Sequence, residues 1–172
     1  ERADAEIARA SVDLVADLEL LRPGAKLHHH PSHVVAQNEW HAIAQDELEL
    51  AVREADIVSC ATLSAAPLVH GAWLRPGTHL DLVGGFTPKM READDQAVKR
   101  SRIFVDTRAG AAKEAGDIVV PLKKKIIDAK AIKGDLFDLT RGKVKGRTSD
   151  AQITLFKSVG TAIEDLAAAM LV

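Results

Sequence analysis

At 172 residues the chain is the size of one ordinary domain, and with 47% apolar and 28% charged residues it reads as globular, which excludes a disordered tail or linker. A formal net charge of −2 argues against nucleic acid or an anionic membrane as the main partner. The single cysteine, Cys60, excludes an internal disulfide and points to a reducing, cytoplasmic setting; no apolar run approaches the length of a membrane span, and the first residues resemble neither a signal nor a transit peptide.

Between Ala3 and Leu21 the apolar residues Ile7, Ala10, Leu14, Val15, Leu18 and Leu21 recur at three and four, which predicts an amphipathic helix stopped by Arg22-Pro23-Gly24. The following KLHHHPSHVVAQNEWHAI receives no assignment, so residues 1–46 stand as an unassigned helical and His-rich segment. A short helix is expected from Glu47 to Glu54, feeding the continuous apolar strand ADIVSCAT. LSAAPLVHGAWLRPGT is a turn or short helix ending in Pro76-Gly77, and HLDLVG is the next strand. Thr87 can cap and Pro88 can open a helix to Arg100. RIFVDT is a third strand, Ala109 to Ala115 a short helix, GDLFDLTRGK another, and ITLFKSVG an extended segment. The last helix, Thr161 to Leu171, carries Ile163, Leu166, Ala167, Met170 and Leu171 on one stripe.

Apolar strands alternating with helices predict an α/β fold: a partial, doubly wound parallel sheet of Rossmann type. Ligands in such sheets bind beyond the carboxyl ends of the strands, where Thr62 and Gly84-Gly85 fall. Two glycines there have two readings of equal standing. They leave room for a flat cofactor ring, or they let a helix pack tightly on the sheet at the same place.

The joint pattern of READD, VDTR, EAGD and FKSVGTAIEDLAAA, in order and spacing over roughly Glu47 to Leu171, resembles the C-terminal part of the ornithine cyclodeaminase and mu-crystallin family, nearest its pyrroline-2-carboxylate and ketimine reductase-like branch. The resemblance implies a nicotinamide-binding Rossmann domain joined to a dimerisation and substrate domain. It divides the chain into residues 47–120, the C-terminal half of the NAD(P)-binding domain, and residues 121–172, the remainder of that domain with a C-terminal dimerisation and substrate segment. It places Thr62 beside the adenosine side of the dinucleotide, Leu82, Val83, Gly84 and Gly85 along the nicotinamide, and Ser158, Val159 and Gly160 over the nicotinamide and substrate. NAD(P)H is the implied cofactor, a cyclic imino acid or amino acid the implied small-molecule partner, and a homodimer the implied assembly. Backbone groups beside a glycine at a helix start also suit a ligand carboxylate.

Two departures shape the expected function. Where the cyclodeaminases of the family carry an aspartate proposed to donate and accept protons, this chain has Phe86, and no acid lies between Gly84 and Arg91. A phenyl ring cannot transfer protons, so reduction of a preformed cyclic imine by NAD(P)H is favoured over ornithine cyclodeamination, with a catalytically silent binding module as the third reading. No G-x-G-x-x-G or variant occurs, so the turn that holds a dinucleotide's pyrophosphate is missing and the chain reads as a fragment of a longer enzyme whose catalytic residues are unassigned.

The remaining constellations have bland readings. His28, His29, His30, His33 and His41 could offer imidazoles to Zn²⁺ or Ni²⁺, but Pro31 breaks any helix and no cysteine is near, so a solvated loop and no metal site are expected. The basic residues from Lys123 to Arg147 read as a solvated face. Asp81 inside HLDLVG is expected to be a hydrogen-bonded structural acid, and Cys60 a buried small hydrophobe.

Overall fold

A computed structural model describes residues 33–37 and 45–171. The expected helix Ala3–Leu21 and the histidines His28, His29, His30 and His41 lie outside the described residues, and His33 is described only as backbone of a strand. The boundary between two compact units falls between Gly160 and Thr161.

The larger unit is built on a parallel six-stranded sheet. Its elements run β1 (His33–Gln37), α1 (Gln45–Glu54), β2 (Ile57–Ala61), a 3-10 turn at Gly71–Trp73, β3 (His79–Leu82), α2 (Asp95–Arg100), β4 (Arg102–Val105), α3 (Arg108–Glu114), α4 (Gly116–Lys123), a 3-10 turn at Ala129–Ala131, β5 (Ile132–Asp135), α5 (Leu136–Thr140) and β6 (Thr154–Lys157). The spatial order is β1-β2-β3-β6-β4-β5. Strand β6, last in the chain, is therefore threaded into the middle of the sheet, with Lys157 opposite Leu82 of β3 on one side and Val105 of β4 on the other. The α/β parallel architecture agrees with the sequence expectation.

Strands covered on both faces are expected to be rich in apolar residues, and the core of this sheet is: Leu80, Leu82, Ile103, Val105 and Leu155 are all fully buried. Leu48, Ala51 and Val52 of α1, Ala97 and Val98 of α2, and Ile118 of α4 pack against them. Asp81 is the structural acid expected, its carboxylate accepting from Ser59 Oγ at 2.9 Å. Burial pushes its pKa up. Cys60 is fully buried, and its thiol is raised well above its ordinary range, chiefly by burial and further by the charges of Glu92, Asp117 and Asp81.

Four elements differ from the sequence reading. The helix expected from Pro88 begins only at Asp95, because the backbone ahead of it is committed elsewhere: Arg91 N donates to Ser64 O, and Glu92 N and Ala93 N both donate to Asp117 Oδ1 at 2.9 Å. Asp94, rather than Thr87, caps it, accepting from Ala97 N. The apolar run GDIVVPLK forms α4, a helix the reading did not assign because its buried residues leave no polar face to mark the period and Pro121 lies inside it. Strands β1 and β5 were likewise unassigned; Gly134 interrupts the apolar pattern of β5.

Of the second unit, the described part is α6 (Ala162–Ala169), started by a capping box in which Thr161 and Glu164 satisfy each other's backbone amides. Ile163, Leu166, Met170 and Leu171 of its apolar stripe are exposed.

Candidate functional site

The segments after β2, β3, β4 and β6 meet at the carboxyl edge of the sheet, and buried acids lock them together. Glu92, without solvent exposure, joins the ends of β2 and β3. Its Oε1 accepts from Thr62 N at 2.6 Å and Thr62 Oγ1 at 2.9 Å, while Oε2 accepts from Gly84 N and Gly85 N at 3.1 Å each. Four donors on one carboxylate hold two strand exits in fixed register.

This arrangement shows what surrounds the glycine pair within the fold. A Cβ on Gly84 would run into the backbone N and O of Thr62, so the close approach that Gly84 permits is to the neighbouring strand end. Gly85 faces the buried charges instead, where a Cβ would stand 3.2 Å from Asp117 Oδ2 and 3.5 Å from Lys157 Nζ. At Gly84 the close neighbour is a strand end and not the helix expected from the sequence.

Beneath the glycines lies an ion cluster. Lys157, at the end of β6, is fully buried, with Nζ 3.5 Å from Glu92 Oε2 and 3.8 Å from Asp117 Oδ2. Arg91 Nε lies 3.8 Å from Asp117 Oδ1, and Arg91 Nη2 pairs with Asp95 Oδ1 at 2.9 Å. Burial holds the Asp117 carboxyl above its usual range, opposed by the Lys157 charge and by the amides of Ala93 and Glu92. Two cations against two fully buried acids make the cluster a device for fixing geometry more than a source of net stability.

A third acid, Asp106, follows β4 and is 1% exposed. Its Oδ1 accepts from Thr107 N at 2.5 Å. Its Oδ2 accepts from Ser158 Oγ at 3.1 Å, Val159 N at 2.7 Å and Gly160 N at 2.9 Å. Ser158 is tied to β3 as well, donating its amide to Leu82 O at 3.0 Å. The amides that suit a ligand carboxylate in the sequence reading are thus engaged by an acid of the chain itself.

Thr62, Leu82, Val83, Gly84, Gly85, Ser158, Val159 and Gly160 therefore lie on one edge of the sheet, joined by the bonds just described. Thr62 and Leu82 are buried, whereas Val83 and Phe86 are 45% and 48% exposed. The residues that sequence reasoning missed are Glu92, Asp106, Asp117 and Lys157, one from each of READD, VDTR, EAGD and FKSVG. Their signal was a charge in or beside an apolar run, as in IFVD, GDIVV and LFK. Among the described residues no group of three or more His, Cys, Asp or Glu is placed to hold a metal, and no helix is long and apolar enough to cross a membrane.

The family model of the ornithine cyclodeaminase/mu-crystallin family matches residues 5–172, reaching further toward the N-terminus than the quoted motifs. The Δ1-pyrroline-2-carboxylate reductase of Paracoccus denitrificans is 45% identical over 123 residues, covering 72% of this chain and 39% of that protein. Among solved structures, the Thermococcus litoralis Δ1-pyrroline-2-carboxylate reductase in complex with NADH and L-proline is 41% identical with a TM-score of 0.69, covering 72% of this chain and 38% of that one. An archaeal alanine dehydrogenase dimer with bound NAD is 28% identical, also at a TM-score of 0.69, covering 81% and 48%. The chain spans about two fifths of the length of the curated relatives it matches.

Proposed function

The chain belongs to the ornithine cyclodeaminase/mu-crystallin family, and from that premise we propose that it carries the nicotinamide side of an NAD(P)H-dependent enzyme reducing cyclic imino acids such as pyrroline-2-carboxylate. The observation that carries this reading is the meeting of Thr62, Gly84-Gly85 and Ser158 at the carboxyl edge of the sheet, beside an exposed Phe86 that cannot move a proton. Relatives named as pyrroline-2-carboxylate reductases support it.

The residues present fit the nicotinamide end of the cofactor. Val83 offers an exposed apolar side chain at the exit of β3, and Ser158 a hydroxyl at the exit of β6. They offer no glycine-rich turn for the pyrophosphate. When bound, NAD(P)H supplies the hydride that reduces the imine carbon. The chain's part is to fix the strand exits through Glu92 and Lys157 and to hold the Ser158–Gly160 segment through Asp106. The amides of Val159 and Gly160 are committed to Asp106, and an imine that arrives protonated brings its own proton. No side chain then has to deliver a proton at Phe86.

In this reading residues 47–120 belong to the cofactor domain, and residues 121–172 complete it and lead into a dimerisation and substrate segment. The exposed stripe of α6 supplies apolar surface for a homodimer, and the archaeal alanine dehydrogenase, 28% identical, is a dimer. The buried, unpaired Cys60 suits the cytoplasm.

The test is isotopic. The complete polypeptide, given pyrroline-2-carboxylate and NAD(P)H deuterated at the hydride position, should return proline carrying deuterium at its α-carbon. Proline without the label, or no proline at all, would overturn the reading.

A further inference from the structure

The hydroxyl of Ser158 has its bonding capacity almost fully assigned. Ser158 Oγ lies 3.0 Å from Gly160 N, and since an amide N–H only donates, the hydroxyl accepts there. It also lies 3.1 Å from Asp106 Oδ2. Four donors converge on the Asp106 carboxyl, from Thr107 N, Val159 N, Gly160 N and Ser158 itself, so the carboxyl serves as acceptor and the hydroxyl hydrogen points to it. A serine hydroxyl has one hydrogen and two lone pairs. After these two bonds, one lone pair is left.

We propose that Asp106 is a positioning residue that fixes the polarity of Ser158, so that the hydroxyl can only accept from a bound ligand, and that it selects an N–H donor, the carboxamide NH2 of a nicotinamide, over a carbonyl oxygen. This rests on the reading of Ser158 as a neighbour of the nicotinamide. Because the carboxamide is joined to the ring, a donor-only demand on one of its ends fixes which way the group is turned. The 1% exposure of Asp106 protects the arrangement from competing water. A serine free to rotate would accept either end of the carboxamide and give no such selection.

The experiment compares two ligands on the complete polypeptide: the reduced dinucleotide, and its acetylpyridine analogue, in which an acetyl group keeps the carbonyl and loses the NH2. Wild type should bind the parent dinucleotide several-fold to about tenfold more tightly, the worth of one hydrogen bond. Ser158→Ala should bring the ratio toward one. In Asp106→Asn the new side-chain NH2 can donate to Ser158, which frees the hydroxyl to donate in turn, and the preference should vanish or invert. A purely structural role for Asp106 would weaken both ligands together and leave the ratio intact; that result would overturn the proposal. Equal binding of both ligands by wild type would overturn it without any need for the Asn variant to fold. Failure of wild type to bind either dinucleotide would instead remove the cofactor reading, and this inference with it.

Discussion

Glu92 and Lys157, neither with any solvent exposure, face each other across 3.5 Å at the carboxyl edge of the sheet. Sixty-five residues apart in sequence, they join the turn after β3 to the end of the strand that fills the sheet's centre. The pair ties the position of Gly84-Gly85 to that of Ser158, since Glu92 holds the glycine amides and Lys157 immediately precedes the serine.

Lys157→Met keeps most of the side chain's bulk but leaves Glu92 and Asp117 without their shared cation. Breaking a buried pair from one side costs about 3–5 kcal/mol, so chemical denaturation should give a loss of that size. A loss below about 1 kcal/mol would mean that the acids are neutralised in some other way.

His79 should make stability fall in acid. Burial, aided by the charge of Arg147, lowers its pKa from the ordinary 6.5. The neutral ring is therefore favoured in the folded state; its contribution is present above pH 6.5 and is lost as pH falls through the depressed folded value. His79→Gln should flatten the stability profile just below pH 6.5. Asp117 has the opposite sign, because its raised pKa favours the protonated form in the fold, and Asp117→Asn should remove a contribution that is present at low pH and lost as pH rises.

Gly84→Ala should destabilise the fold more than Gly85→Ala. The first places a methyl against the backbone of Thr62, which cannot yield, and overpacking of this kind costs about 1–3 kcal/mol. At Gly85 the nearest atoms belong to side chains, Asp117 Oδ2 at 3.2 Å and Lys157 Nζ and Met90 Cβ at 3.5 Å. Unfolding midpoints for the two variants check this, and equal losses would show that the Thr62 contact relaxes.

Residues 1–172 by themselves should bind NAD(P)H weakly, because no glycine-rich turn is present to hold the pyrophosphate. Fluorescence titration measures it, and micromolar or tighter binding would mean that another segment of the chain does that work.

The parallel sheet was legible because β2, β3, β4 and β6 are short, mostly apolar runs that alternate with helical stretches, with Pro76-Gly77 marking the turn into β3. The glycine pair was visible too, but its reason was not. What Gly84 avoids is the backbone of Thr62, a contact between residues that only the folded register brings together. Lys157 and Asp106 were hidden for a related reason. Each reads in sequence as the polar end of a strand, and its meaning depends on β6 being inserted between β3 and β4, an order that local pattern does not encode. The helix expected at Pro88 failed because Asp117 claims the amides of Glu92 and Ala93 from a distant helix start.

The most direct measurement of the central claim is a paired assay on one preparation of the complete polypeptide, following proline formation from pyrroline-2-carboxylate with NAD(P)H and from ornithine with NAD. With Phe86 directly after the glycine pair and no acid between Gly84 and Arg91, the imine should be reduced and ornithine should yield little ammonia. Ammonia released steadily from ornithine, with no reduction of the imine, would contradict the account and show that a proton carrier other than residue 86 serves the site.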